Sequence, residues 1–484
     1  PATAAVKKPE RIHFFLSDAF ADGRALPLRI GPIAPRCRVR LSLRMPPTDS
    51  MFIRGPHDPI AIERAEGPWL YARDGRRILD GGAGAVVVNI GQGREEIAEI
   101  ARSTIARLDY VLPVWTSPER ERLVERLLTW TPAGINRFFF TSGGSEANEA
   151  ALKFAILYHK IRGKSSKKKI IGRQFSYHGN TIAALSVAGT GRRADYEHVL
   201  IDWPKIPPTY CYRCPWGKTY PQCDIDCAVA LEQKIVEQGA DSIAAFIAEP
   251  MMGSSGAAVP PVKEYWPKIR EICAKYDVLL IADEVMTGFG RTGRKFAVDH
   301  WDVIPDILVG GKGLTGGYMP MGMCAVRGDL VEEVERSKAD FMFYTYSSHP
   351  VACAIADGVL AIMEREHLVE RSAQMGARLG AQLREELSGH PMVGDIRGSG
   401  LFWGVELVHD KATRMPFAPE KKVTNRVLGA ALRRGLFFYP SSGMAGNGRG
   451  DAMMLTPPFV IGDSEIDFIV RTTRDALEEI RPTL

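Results

Sequence analysis

Asp277-Val278-Leu279-Leu280-Ile281-Ala282, ending in Asp283-Glu284, and further on Ile307-Leu308-Val309, ending in Gly310-Gly311-Lys312-Gly313, are the segments whose reading decides the fold. Each opens with a short, unbroken apolar run. A run this short and apolar at consecutive positions predicts a strand covered on both faces, as in a parallel sheet. In open α/β sheets ligands sit outside the carboxyl ends of the strands, so Asp283 and Lys312 are delivered to a site and not to the core. The glycine-rich connection Thr287-Gly288-Phe289-Gly290-Arg291-Thr292-Gly293 joins the two segments. Glycines around Lys312 let ligand atoms approach the backbone closely while the amine sits in partly apolar surroundings.

An aspartate and a lysine at neighbouring strand ends are what pyridoxal phosphate chemistry requires. The lysine forms an imine with the aldehyde, and the aspartate keeps the pyridine nitrogen protonated so that the ring accepts electrons from a carbanion. Taken singly, each residue has a plainer reading, a solvated loop lysine and a helix-capping aspartate.

At 484 residues the chain exceeds one ordinary core; about 150 residues per domain suggests two or three domains. Hydrophobic residues at 45% and charged residues at 25% describe a globular protein, and no apolar run is long enough to span a bilayer. The net charge of +5 comes without a basic stripe interleaved with aromatics, which argues against nucleic-acid binding. The one basic run, Lys164-Ser165-Ser166-Lys167-Lys168-Lys169, is predicted to be a solvated turn ahead of the strand at Ile170-Ile171. The eight cysteines are few for the length, as in a reducing, cytoplasmic compartment. Cys211, Cys214, Cys223 and Cys227 cluster, and three readings stand: a structural metal, a disulfide, or free thiols in a long excursion, the last being adopted.

Four segments are expected. Residues 1–50, with prolines between recurring arginines, read as an extension, and Met45 and Met51 are candidate natural starts. No apolar segment with a cleavage pattern supports secretion. Residues 51–100 form the N-terminal part of a small domain, where Ile60-Ala61-Ile62-Glu63-Arg64, Trp69-Leu70-Tyr71 and, after an Asp74-Gly75 turn, Arg77-Ile78-Leu79-Asp80 are predicted antiparallel strands. Gly81-Gly82-Ala83-Gly84 is predicted to open a flexible loop. Residues 101–360 form a large domain in which strands alternate with helices, the mark of a doubly wound, mainly parallel sheet. Within it, Phe138-Phe139-Phe140 leads through Gly143-Gly144-Ser145 into a helix whose N-terminal amides are a ready phosphate site. Residues 361–484 form an α+β C-terminal part of the small domain.

Six blocks in this order resemble the class III (omega-type) aminotransferases of pyridoxal phosphate fold type I: Thr141 to Lys153, Phe175 to Gly179, Ala248-Glu249-Pro250, Ile281 to Gly293, Pro305 to Pro320, and Tyr344 to Pro350. The resemblance runs from about Ile60 to the carboxyl end. It implies a fold with a smaller α+β domain built from both chain ends, and a homodimer with active sites at the interface. It also implies that Lys312 holds the cofactor covalently and then shuttles the proton, and that Asp283 pairs with the pyridine nitrogen. Tyr177 then stacks on one ring face with His178 beside it, and Val285 covers the other. Gly144 and Ser145 hold the phosphate, joined by Thr345 from the second subunit, and Glu249 supports the Asp283 region. The implied reaction moves an amino group from a primary amine to a keto acid such as pyruvate through pyridoxamine phosphate.

Departures bear on substrate. Where many relatives carry His-Gly before Thr345 this chain has Met342-Phe343, and Ser348 replaces a usual glycine. Ala85-Val86 stands where amine-using relatives often place a tryptophan, so the Val86 position is expected to admit a bulkier amine. Trp115 falls in a segment that lines the family's pocket, burial in the core being the other reading. Three residues before Pro457-Pro458, where relatives that use α-amino acids carry an arginine, stands Met454. Arg449 is then the candidate cation for the keto acid, with Arg397 as a rival read as structural. An aminomutase or a decarboxylating transaminase would use the same cofactor residues. A non-catalytic metal- or nucleic-acid-binding protein is the distant alternative.

Overall fold

The computed structural model describes residues 59–484, apart from 190, 342 and the side chain of 192. The expectations for residues 1–50, for Met45 and Met51, and for Met342 lie outside the described residues.

Three sheets carry the architecture. The first is the predicted antiparallel unit, β1 (Ile62–Glu66), β2 (Trp69–Ala72) and β3 (Arg77–Asp80). The central sheet holds β4 (Ile135–Thr141), β5 (Lys169–Arg173), β6 (Lys205–Ile206), β7 (Ile243–Ala248), β8 (Leu279–Asp283), β9 (Ile307–Gly310) and β10 (Gly322–Arg327) in the order β4-β10-β9-β8-β7-β5-β6. Only β10 runs against the rest, so β4, β5, β7, β8 and β9 all end at one edge. From the C-terminal part come β11 (Val393–Ser399), β12 (Phe402–Leu407), β13 (Leu436–Phe437), β14 (Tyr439–Gly446) and β15 (Arg449–Leu455). Four of these form an antiparallel sheet in the order β11-β12-β15-β14, while β13 joins β3 in parallel through Leu436↔Leu79. The first sheet is thus closed by the far end of the chain.

The apolar runs are explained by what covers them. In β8 and the residue before it, Leu279 and Ile281 face one buried cluster with the helix Gly144–Ile161, while Val278 and Leu280 face another containing Tyr265 and Trp266. Alternate side chains therefore enter different cores and neither face stays polar. β7 repeats this, with Ala245 and Ile247 on one side and Phe246 and Ala248 on the other. Fully burying each large side chain is worth about 2 kcal/mol.

Two local expectations are corrected. The run Lys164 to Lys169 is more than a solvated turn: Lys167 is buried, and its Nζ donates to the carbonyls of Ala240, Ile243, Tyr276 and Asp277 at 3.0–3.1 Å. Those oxygens replace the water an ammonium would otherwise need. The stretch after Gly82 is not an open loop but a short helical turn, Ala83–Val86, with Val86 buried at φ 60° and its amide donating to the Gly82 carbonyl at 3.1 Å.

Candidate active site

Where the five parallel strands end, a cavity of about 150 Å³ is lined by Gly144, Ser145, Asn148, Tyr177, His178, Gly179, Glu249, Asp283, Val285, Met286 and Lys312. Each comes from a strand end or the loop just beyond it, or from the first turns of the helix Gly144–Ile161. Asp283 is the last residue of β8, Glu249 follows β7, Tyr177 to Gly179 follow β5, and Lys312 follows β9.

The Asp283 carboxylate is buried and held at three points. Asn148 Nδ2 and His178 Nδ1 sit 2.9 and 2.7 Å from its Oδ2, and the Val285 amide donates to its Oδ1 at 3.1 Å. Asn148 is fixed in turn by donating to the His178 carbonyl at 2.7 Å. Glu249 accepts from the amides of Gly253 at 2.9 Å and Tyr177 at 3.3 Å; burial pushes its carboxyl up, while His178 and Arg173 draw it back down.

The helix opening at Gly144 is shaped for close approach. A Cβ on Gly144 would stand 2.8 Å from Val285 Cγ1, and one on Gly179, at φ 133°, would stand 2.5 Å from Ser145 Oγ. The floor is thus backbone, with first-turn amides and the positive end of a helix dipole, as a phosphate requires. Lys312 sits at φ 43°, a left-handed conformation unusual for lysine, in the turn Lys312–Leu314. A phosphate floor, a buried carboxylate, an aromatic ring, a valine and a lysine around one small cavity fit pyridoxal phosphate group by group.

Of the residues expected from the sequence, Gly144, Ser145, Tyr177, His178, Glu249, Asp283, Val285 and Lys312 come together here. Thr345 does not; its carbonyl accepts from Tyr110 Oη at 3.0 Å, the Tyr110 ring meets that of Tyr346, and Trp115, Phe343 and Tyr346 are exposed. Trp115 is neither in the cavity nor in the core, being 60% exposed. Val86 is buried in the apolar cluster that holds Met252, Phe402 and Met454, against which Met286 packs, and is not among the residues lining the cavity. Arg449 is exposed at the start of β15 and is not among the residues lining the cavity. Arg397 is structural as read: buried, it pairs with Asp395 and Glu406 and donates to the carbonyls of Gly256 and Ala257.

Sequence reasoning missed Asn148 and Met286. Asn148 is a polar residue three after Ser145, on a helix face otherwise alanine-rich, and buried asparagine needs a partner. Ser348, in place of the family's glycine, does adopt φ 53°. Cys211, Cys214, Cys223 and Cys227 line a small cavity of their own as free thiols. Among the described residues no group of His, Cys, Asp or Glu is disposed to hold a metal ion, and no helix is long and apolar enough to cross a membrane.

Comparison with known proteins agrees with this geometry. The family model "Aminotransferase class-III" matches residues 53–477. A putrescine–pyruvate aminotransferase of Pseudomonas aeruginosa is 38% identical over 423 residues, 86% of this chain and 90% of that protein. A diaminobutyrate–2-oxoglutarate transaminase of Halomonas elongata is 36% identical over 445 residues, 90% of this chain and 93% of that protein. The crystal structure of a thermostable (S)-enantioselective omega-transaminase from Thermomicrobium roseum superposes with a TM-score of 0.80 at 39% identity, covering 87% of this chain and 93% of that one.

Proposed function

Because the chain belongs to the class III aminotransferases, pyridoxal-phosphate-dependent transaminases of fold type I, we propose that it moves an amino group from a primary amine lacking an α-carboxylate to a keto acid such as pyruvate. One observation carries the choice of donor. Met454 is fully buried in β15 and packs in the apolar cluster behind Met286, at the point where an arginine would grip an α-carboxylate. A buried thioether offers an anion nothing, so a charged donor would lose the whole of its hydration there. The similarity to a putrescine–pyruvate enzyme supports the same choice.

Pyridoxal phosphate, when bound, supplies the aldehyde that takes up the amine and a ring that accepts electrons from its α-carbon. The chain's own residues do the rest. Asp283 would keep the proton on the ring nitrogen by its charge, and Asn148, His178 and the Val285 amide hold Asp283. Tyr177 and Val285 would bracket the ring, the Gly144 and Ser145 amides would hold the phosphate, and Lys312 would be the base that carries the proton.

The working unit is a homodimer. The exposed patch of Tyr110, Leu112, Val114, Trp115, Phe343 and Tyr346 is what a second copy would cover, and it would bring Thr345 and Trp115 to the neighbouring site. The division into 51–100 and 361–484 as one small domain and 101–360 as a large one rests on the β3–β13 pairing. The unpaired cysteines suit a cytoplasmic enzyme.

The test is product analysis. Purified protein is supplied with pyruvate and either a panel of amines without a carboxylate or a panel of α-amino acids. Alanine formed faster from the amines, with the matching aldehyde or ketone and no carbon dioxide, supports the reading. Faster turnover of α-amino acids, release of carbon dioxide, or an amino group that moves within one molecule would each replace it.

A further inference from the structure

Arg173 ends β5, next to β7 and two strands from β8, whose ends carry Glu249 and Asp283 in turn. Its side chain is fully buried, an expensive place for a guanidinium. Nη2 donates to the Glu249 carbonyl at 2.6 Å and lies 4.0 Å from the Glu249 carboxylate, which is the one acid within ion-pair reach of Arg173 among the described residues. The hydroxyl of the buried Tyr265 also engages the guanidinium.

The sheet edge explains what it is there for. Along β5, β7, β8 and β9 the residues at or just beyond the strand ends are Arg173, Glu249, Asp283 and Lys312, so cation, two anions and cation stand side by side. His178 lies among the anions, 2.7 Å from Asp283 through Nδ1, with its Nε2 unpartnered. Two buried carboxylates on adjacent strands repel, and one of them takes up a proton unless a countercharge is present. With the proton on Glu249, the amides of Tyr177 and Gly253 lose a charged acceptor, and the loop that places Tyr177 and His178 loosens.

Resting on the reading of Asp283 as the partner of the ring nitrogen, we propose that Arg173 is a positioning residue. Its guanidinium keeps Glu249 ionised, and through Glu249 and His178 it holds Asp283 in line for pyridoxal phosphate. It touches neither cofactor nor substrate.

The full-length protein is prepared as wild type, Arg173→Lys, Arg173→Gln and Arg173→Gln/Glu249→Gln, with ¹³C-labelled glutamate. Infrared difference spectra against wild type report protonated glutamate, and fluorescence titration of the cofactor-free protein reports affinity for pyridoxal phosphate. The expected results are a new glutamic-acid carbonyl band in Arg173→Gln alone, and an affinity about tenfold weaker there. Affinity should recover by about threefold or more in the double variant, and Arg173→Lys should follow wild type. No new band, or a double variant no better than the single, overturns the proposal. Should Arg173→Gln fail to fold, a double variant that folds supports the proposal and one that also fails overturns it. Wild-type protein that binds no pyridoxal phosphate, or binding unchanged by Asp283→Asn, would instead remove the reading of Asp283.

Discussion

Replacing Asp283 by asparagine tests the electrostatic core of the site, and its effect follows from the three groups that hold the carboxylate. Oδ2 faces Asn148 Nδ2 at 2.9 Å and His178 Nδ1 at 2.7 Å, and Oδ1 accepts from the Val285 amide at 3.1 Å. Asparagine must turn its single oxygen toward the first two donors, which leaves its NH₂ against the Val285 amide. Donor then meets donor, and the charge that kept the nitrogen protonated is gone. Losing a hydrogen bond to a charged group costs about 1.5–3 kcal/mol; with the ring also weakened as an electron acceptor, the amine half-reaction should slow by at least about 10²-fold, a barrier increase of about 3 kcal/mol. Stopped-flow absorbance of the bound cofactor, mixed with amine in the absence of keto acid, measures this step alone. A half-reaction within about tenfold of wild type, with cofactor fully bound, would refute the reasoning.

Three further outcomes are expected. Glu284, fully buried and bonded to Thr287 Oγ1 and the Val298 amide, is pushed up to about 7 by burial. The folded state therefore keeps a proton that the unfolded chain has lost, stability falls as pH rises from about 4.5 to 7, and the full loss is about 3 kcal/mol; Glu284→Gln should flatten the decline of Tm between pH 5 and 8, and an unchanged decline would count against it. Lys167→Met leaves four carbonyls without their shared ammonium and should cost about 3–5 kcal/mol in urea unfolding, whereas a cost under about 1 kcal/mol would return Lys167 to the surface. Arg449→Ala should leave the amine and keto-acid half-reactions within about twofold of wild type, and a selective loss with pyruvate would bring Arg449 back to the site.

Much of the site was legible because strand ends are legible. β7, β8 and β9 are apolar on both faces, so their runs stand out and the polar residue that stops each one, Glu249, Asp283 or Lys312, is marked by position. What hid were groups whose meaning lies in distant partners. Asn148 matters because Asp283 is 135 residues away in sequence and 2.9 Å away in space. Lys167 looks like one charge in a basic run until the carbonyls of Ala240, Ile243, Tyr276 and Asp277 close around it. The burial of Val86 was hidden too: a positive φ at a valine is invisible in sequence, and the side chain joins the cluster with Met252 and Met454. β10, the single antiparallel strand of the central sheet, lies in the apolar stretch after Pro320, where nothing local specifies direction.

The central claim is that Lys312 is the residue to which pyridoxal phosphate is joined. Reduction of the cofactor-loaded protein with borohydride, proteolysis and mass spectrometry locate the joined lysine directly. The account predicts a single modified peptide with the added pyridoxyl phosphate mass on Lys312, absent from Lys312→Ala. Modification at any other lysine, or none in a protein that has bound the cofactor, would contradict it.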